Sequence, residues 1–413
     1  MISKSPVVFF IGFVFPEPKS SAAGRRIIQL INFFKTQGFT VVFGSAANRS
    51  EHSFDLKSIG VVEEQLFLNS NCFDDFILKL NPNIVVFDRF MTEEQFGWRV
   101  ADFCPKAIRI LDTEDLHFLR KARKDNKNGS TVFSKEYLKT DTAKRELASI
   151  YRSDLSLIIS EIEMDILIKQ LNISPDLLIY IPFLLDNHSI PDQLNSPKFS
   201  KRNDFVFVGN FLHPPNADAV LFLKTKIWPH IHKKLPQASL HIYGAYPKPK
   251  HLNLQSKRNN FFVHGHVDDI DYVLSSSKVL LAPLQFGAGL KGKVVDALRN
   301  GTPCVLSSIA AEGIFGTDSP NGFVIDDERL FVEQSIELYT DKTLWETSHN
   351  NGFEILEKRF GCAKFYSSLL FKIRDIQTHL EEHRLKNLTG MLLQHHGIQS
   401  TKYFSKWIEA KNN

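Results

Sequence analysis

The residues best placed to do chemistry lie in one stretch, Leu281 to Val305, which reads LAPLQFGAGLKGKVVDALRNGTPCV. An apolar run, Val279 to Ala282, ends at Pro283. A loop with Gly287 and Gly289 follows, then helical spacing from about Leu290 to Asn300, then Gly301 and a second apolar run. That order predicts strand, loop, helix, strand, the crossover unit of a parallel sheet. Such a loop sits at the carboxyl end of its strand, where open α/β sheets bind ligands. Glycines let backbone approach a bulky anion, and the first helical turn aims unpaired N–H groups at it. Lys291 and Lys293 on that turn oppose the helix dipole unless an anion arrives there. Asp296, one turn beyond Lys293, is within reach of a diol such as ribose. Phosphates at the glycines and lysines with ribose at the carboxylate make a nucleotide-diphosphate site. The plainer alternative is a common glycine turn with two solvated lysines.

Other charged residues gather at the ends of apolar runs. Ile84 to Phe87 is followed by Asp88-Arg89, and Ala107 to Leu111 by DTEDLHFLR, Asp112 to Arg120. Two charged strand ends suggest one functional edge of a sheet. After the first strand, Val7 to Phe15, the loop FPEPKSSAAGRR enters a helix predicted over Gly24 to Gln37, with Arg25 or Arg26 facing any anion. Gly209-Asn210 closes the strand Phe205 to Val208. Two fragments imitate metal sites. His264-Gly-His266 lacks a third ligand, and Asp269-Ile-Asp271 starts an amphipathic helix, where acids favour the dipole and cap the helix. No metal is expected.

The central stretch, followed by SSIAAEGI at Ser307 to Ile314, resembles the donor-site signature of group 1 (family 4) glycosyltransferases. The resemblance implies that Gly287, Gly289 and Lys291 or Lys293 hold a sugar nucleotide's diphosphate and that Asp296 holds its ribose. Many members carry two glutamates with seven residues between them; here Asp296 stands at the second and Ala288 at the first. GNFLHPPNADAV resembles a subset in which Asn210 and Asn216 replace an Arg and a Lys, leaving the charge to Lys291 and Lys293. The Gly24 loop resembles the one that faces the donor phosphates across a cleft, so Gly24 and Gly209 join the donor set. DTEDLHFLR resembles the segment whose histidine faces the transferred sugar, which makes His117 the candidate there, with Asp88 and Arg89 lining the acceptor side. The implied fold is α/β of GT-B type, two Rossmann-like doubly wound domains facing across a cleft. The implied reaction moves a sugar from a nucleotide-diphosphate sugar, a co-substrate rather than a cofactor, to a glycan, lipid-linked or protein acceptor, with retention and without a metal. Two rivals stay open: a nucleotide-sugar epimerase on this fold, and a nucleotide-sugar-binding protein that has lost catalysis.

Composition fits these expectations. The 413 residues suit two domains with separate cores. Apolar residues make up 43% and charged residues 23%, an ordinary globular balance. Fifty Lys and Arg against 46 Asp and Glu leave +4, too mild to argue for nucleic acid. Cys72, Cys104, Cys304 and Cys362 are far apart without C-x-x-C spacing, so buried cytosolic thiols are expected. The run Val7 to Phe15 is too short for a membrane span and reads as a buried strand rather than a signal peptide. The expected location is cytoplasmic, with peripheral contact at the inner face of a membrane as an option. The basic tract Arg120 to Lys127 reads as a solvated helix end, or as a collector of an anionic acceptor. The expected divisions are residues 1–182, a proline-spotted linker at 183–204, a second domain over 205–360, and a helical tail over 361–413 that crosses back to the first domain.

Overall fold

A computed structural model describes residues 5–126, 132–185 and 196–412; the side chains of 396–399 are not described. Residues 186–195 of the expected linker, and Lys127 of the basic tract, therefore lie outside the described residues.

Short runs of β-branched and aromatic residues, apolar on both faces, form the strands. In the first half these are β1 (Val7–Gly12), β2 (Thr40–Ser45), β3 (Val62–Gln65), β4 (Ile84–Asp88), β5 (Ile108–Asp112), β6 (Leu155–Ile158) and β7 (Leu178–Tyr180). The second half supplies β8 (Asn203–Val208), β9 (Leu240–Tyr243), β10 (Phe261–Gly265), β11 (Ser277–Ala282), β12 (Cys304–Leu306) and β13 (Gly322–Val324). They make a seven-stranded sheet, β3-β2-β1-β4-β5-β6-β7, and a six-stranded sheet, β10-β9-β8-β11-β12-β13. The strand pairs within both are parallel. Winding reverses between β1 and β4 in one sheet and between β8 and β11 in the other, and such switch points open crevices at the carboxyl ends of the strands.

Each sheet is covered by helices. One core cluster fills the second domain around Phe205, Trp228, Leu280 and Leu298. Two others lie in the first domain, one around Phe9, Phe87 and Phe118, one around Phe10, Phe34 and Ile110. After Phe360 the chain returns: Leu369, Ile373 and Ile376 of the helix Cys362–Thr378 belong to a first-domain core. Among the described residues no helix is long and apolar enough to cross a membrane. Cys104 and Cys304 are buried as expected, whereas Cys72 is exposed and Cys362 half-buried.

Two helix boundaries differ from expectation. Ser134 to Ile150, whose apolar spacing predicts one continuous helix, is a short 3-10 turn, Lys135–Lys139, then a helix Asp141–Arg152. Thr140 is extended between them, its hydroxyl capping the Ala143 N–H at 3.2 Å, so the helix restarts there. The helix expected from Leu290 begins at Gly292, because Lys291 is extended (φ −90, ψ 100). Asp269 does cap its helix, accepting from the Tyr272 N–H at 2.9 Å.

Candidate active site

The two switch points face each other across a cleft of about 560 Å³. Its first-domain wall comes from the loops after β1, β4 and β5, with Phe13, Gly24, Arg25, Asp88, Arg89, Glu114, Asp115, His117 and Arg120. Its second-domain wall comes from the loops after β8, β9 and β11, with Gly209, Asn210, His213, Asn216, Tyr246, Gly287, Lys291, Lys293 and Asp296. Of the site residues expected from the sequence, Gly289 and Arg26 do not line it; Gly289 packs against Asp115 and Ile159.

The helix Gly292–Arg299 starts at the cleft with no side chain capping its N-terminus. The first-domain helix Ala22–Thr36 starts opposite it. The two helix ends nearly touch, because a Cβ added to Gly292 would lie 2.5 Å from the Ala22 Cβ. Only a residue without a side chain lets them converge. Two dipoles thus point their positive ends into one space, an arrangement suited to an anion.

The lysines of the central stretch part company. Lys293 Nζ donates to Asn216 Oδ1 at 2.5 Å and lies 4.4 Å from the centre of the Phe207 ring. Burial, helped by repulsion from Lys291, pushes its ammonium down to about 7. Lys291 turns back instead: its Nζ donates to the Gly289 carbonyl at 2.7 Å and sits 3.8 Å from Glu312 Oε2. Its charge is answered within the protein, so Lys293 carries more of the expected anion contact. Asp296 accepts from Arg25 Nη2 at 2.6 Å, a pair that joins the domains at the cleft. Its Oδ1 has no hydrogen-bond partner among the described residues. Burial raises its carboxyl, with Arg25 opposing. Arg26, the other arginine offered from sequence, is turned into the first domain, where it bonds Asp112 and the Ile181 carbonyl.

These shifts give a pH dependence. The nucleotide-diphosphate sugar expected from the sequence keeps a fixed diphosphate charge near neutrality, and if it binds beside Lys293 it favours the ammonium. Above pH 7 the free protein must first take up that proton. Its dissociation constant is expected to rise by up to about tenfold per pH unit. Calorimetric titration from pH 6.5 to 8.5 checks this, and a flat profile contradicts it.

Gly289 is held in the left-handed region at φ 64, and an added Cβ would lie 2.7 Å from that of Asp115. Its N–H donates to Glu163 Oε1 at 2.8 Å, an oxygen that also accepts from the Leu116 N–H at 2.9 Å. Glu163 therefore ties the donor loop to the first domain; burial, with the Asp115 charge, pushes its carboxyl up to about 8. Gly287 offers its carbonyl to Arg123 Nη1 at 2.9 Å. Gly209 packs on the Asn216 side chain that orients Lys293, and Gly24 packs on the Glu17 backbone. Asn210 donates to the Ser20 carbonyl at 3.3 Å across the cleft mouth.

On the first-domain wall, β4 and β5 end in register, Asp88 beside Asp112. Arg89 and Glu114 adopt left-handed backbone, φ 71 and φ 63, a strain that concentrates at functional edges. Asp88 Oδ2 accepts from the Phe13 N–H at 3.0 Å, and Arg89 lies over the Phe13 ring. His117 opens the helix His117–Asn126, capped by Glu146, whose oxygens accept the N–H groups of His117 and Phe118 at 2.9 and 2.8 Å. The His117 Nε2 lies 3.4 Å from Asp115 Oδ1. Burial pushes the imidazole down to about 4, so it is neutral at physiological pH. Burial opposes ionisation of Asp115, but Arg120 and His117 outweigh it and hold the carboxyl at about 2.

Sequence reasoning missed Asp115, Arg120, Glu163 and the pair Arg123–Glu312. The basic tract is not uniformly solvated: Arg120 and Arg123, one turn apart, face inward while Lys121 and Lys124 are exposed. Arg123 grips Glu312 through both Nη atoms, at 2.8 and 2.7 Å. The i, i+3 spacing was the available signal, but its acidic partner is 189 residues away.

Residues 202–341 match the family described as Glycosyl transferases group 1. The chain is 24% identical over 311 residues to an uncharacterized 44.6 kDa protein in the cps region of Klebsiella pneumoniae, covering 71% of this chain and 75% of that one. It is also 24% identical over 220 residues to the UDP-Gal:alpha-D-GlcNAc-diphosphoundecaprenol alpha-1,3-galactosyltransferase of Escherichia coli. That match covers 48% of this chain and 55% of the relative, so the chain spans about half of it. The pneumococcal O-GlcNAc transferase GtfA, solved with UDP and GlcNAc, superposes with a TM-score of 0.65 at 12% identity, covering 90% of this chain and 99% of that one. The fold is GT-B, and residues 202–341 form a group 1 glycosyltransferase domain.

Proposed function

We propose that this chain, a glycosyltransferase carrying a group 1 domain, moves a sugar from a nucleotide-diphosphate sugar to an acceptor hydroxyl, with retention and without a metal. One observation carries this reading: two helix N-termini and the Lys293 ammonium converge on the cleft between both switch points. When the bond from the anomeric carbon to the diphosphate breaks, negative charge grows on the leaving oxygen and positive charge on the sugar. Donors already fixed where that negative charge appears lower the barrier. Lys293 and the two helix ends meet that demand with the protein's own groups. Asp296 Oδ1 takes a ribose hydroxyl, with Arg25 retaining the other oxygen.

The sugar lies toward Asp115, Arg120 and His117. A neutral imidazole both donates and accepts, which suits a sugar hydroxyl. Asp115 is held by Arg120 through Oδ2 rather than kept ready as a covalent nucleophile. The acceptor therefore approaches on the face the diphosphate leaves, giving its proton to the departing oxygen as the new C–O bond forms. Asp88 and Arg89 line that side. The acceptor is read as membrane-associated, a reading supported by likeness to the Escherichia coli relative named for a lipid diphosphate substrate, and on this reading the chain works at a membrane surface.

Mass spectrometry of products from a panel of nucleotide-sugars tests the reading, with and without a lipid-extract acceptor. A glycosylated product that needs the acceptor is expected. An epimerised donor formed without acceptor, or donor binding with no transfer to any acceptor, overturns it.

A further inference from the structure

The last helix, Leu388–Asn412, is built inside out. It lies on the first domain through polar contacts. Ser405 Oγ donates to Asn69 Oδ1 at 3.0 Å, Arg99 pairs with Glu409, Lys402 pairs with Asp102, and Gln394 reaches the Arg152 carbonyl at 3.0 Å. Its aromatic residues point the other way: Tyr403 is 64% exposed, Phe404 62% and Trp407 58%, with the last two rings stacked at 5.9 Å. Phe67 and Leu68, beside Asn69 on the loop after β3, are exposed as well. A helix that buries polar groups and presents aromatics to water has a partner for its outer face.

We infer that this outer face seats on an anionic lipid bilayer. Lys406 and Lys411, both exposed, accompany the aromatics, and Lys411 lies 5.3 Å from the centre of the Trp407 ring. From Leu388 to Asn412 the one acid is Glu409, which is turned inward to Arg99. Tyr and Trp with lysines beside them suit the headgroup boundary, where rings enter the acyl edge and ammonium groups meet lipid phosphates. A second copy fits worse, because pairing this face with itself opposes lysines with no outward acid on the helix to neutralise them. The inference does not depend on the donor reading, and its failure leaves the transfer chemistry untouched.

Trp407 supplies a reporter: of the four tryptophans, Trp98, Trp228 and Trp345 are buried. The full chain is titrated with phosphatidylcholine vesicles containing or lacking phosphatidylglycerol, followed by co-sedimentation and tryptophan emission. Binding that requires phosphatidylglycerol, with a blue shift, is expected. The triple variant Tyr403→Ser, Phe404→Ser, Trp407→Ser should lose at least about tenfold in partitioning, with unchanged turnover of a water-soluble acceptor as proof of folding. Failure of the wild type to bind these vesicles, or equal binding by the variant, overturns the inference. So does lipid-free dimerisation, measured by sedimentation, that the same substitutions abolish.

Discussion

Lys293→Ala is expected to lower kcat/KM for sugar transfer by about 10²–10³-fold, the usual cost of removing one charge-stabilising donor from a water-poor site. The residue is positioned for this effect. Asn216 Oδ1 holds the ammonium, the Phe207 ring lies beneath it, and the uncapped end of the helix Gly292–Arg299 is adjacent. Its neighbour cannot take over, since Lys291 is engaged with the Gly289 carbonyl and Glu312. Misfolding would not explain the loss. A lysine pushed down to about 7 by burial strains the ligand-free protein, so its removal should leave stability equal or higher. Activity and thermal midpoint should therefore move independently, a pattern reported by kinetics and denaturation of the same preparation. Lys293→Met, which keeps the volume, separates lost charge from a lost contact. Near-normal transfer by either variant would retire the phosphate assignment.

The second large effect falls on stability. Arg123→Ala should cost about 3–5 kcal/mol, because it strands the buried Glu312 carboxylate with only Lys291 nearby. The arginine is 2% exposed and bonds both the carboxylate and the Gly287 carbonyl, so its loss also unties the donor loop from the first domain. Adding Glu312→Gln to the variant should recover part of the loss, since the uncompensated charge is then gone. Denaturant unfolding of the single and double variants measures both. A single variant as stable as the wild type would show that the pair contributes nothing net to holding the domains together.

The strand plan was legible because buried parallel strands are written as continuous apolar runs, as at Ile84 to Phe87 and Val279 to Ala282. The edge strand β3, with sequence VEEQ, carries no such run and was not read. Nor were the helices Cys72–Leu80 and Phe90–Phe103. The candidate site was legible where it is local: Lys293 and Asp296 share one helix, and both line the cleft. What escaped is contact between distant segments. Arg25 meets Asp296 across 271 residues, and Glu163 takes the Gly289 N–H across 126. No local spacing encodes those pairs. Such contacts also change the roles read locally: Lys291 has an internal partner in Glu312, and Gly289 is a close-packing residue whose N–H is taken by Glu163 rather than an anion contact.

The central claim is that a sugar-bearing diphosphate sits between the two domains against the Gly292–Arg299 helix end. A crystal structure of the chain with a nucleotide-diphosphate sugar tests it most directly. The account predicts the diphosphate within hydrogen-bond distance of Lys293 Nζ and the N–H groups of that first helical turn, with ribose on Asp296. A donor bound elsewhere, or a cleft in which Lys293 and Asp296 keep only their protein partners and touch no ligand, would contradict it.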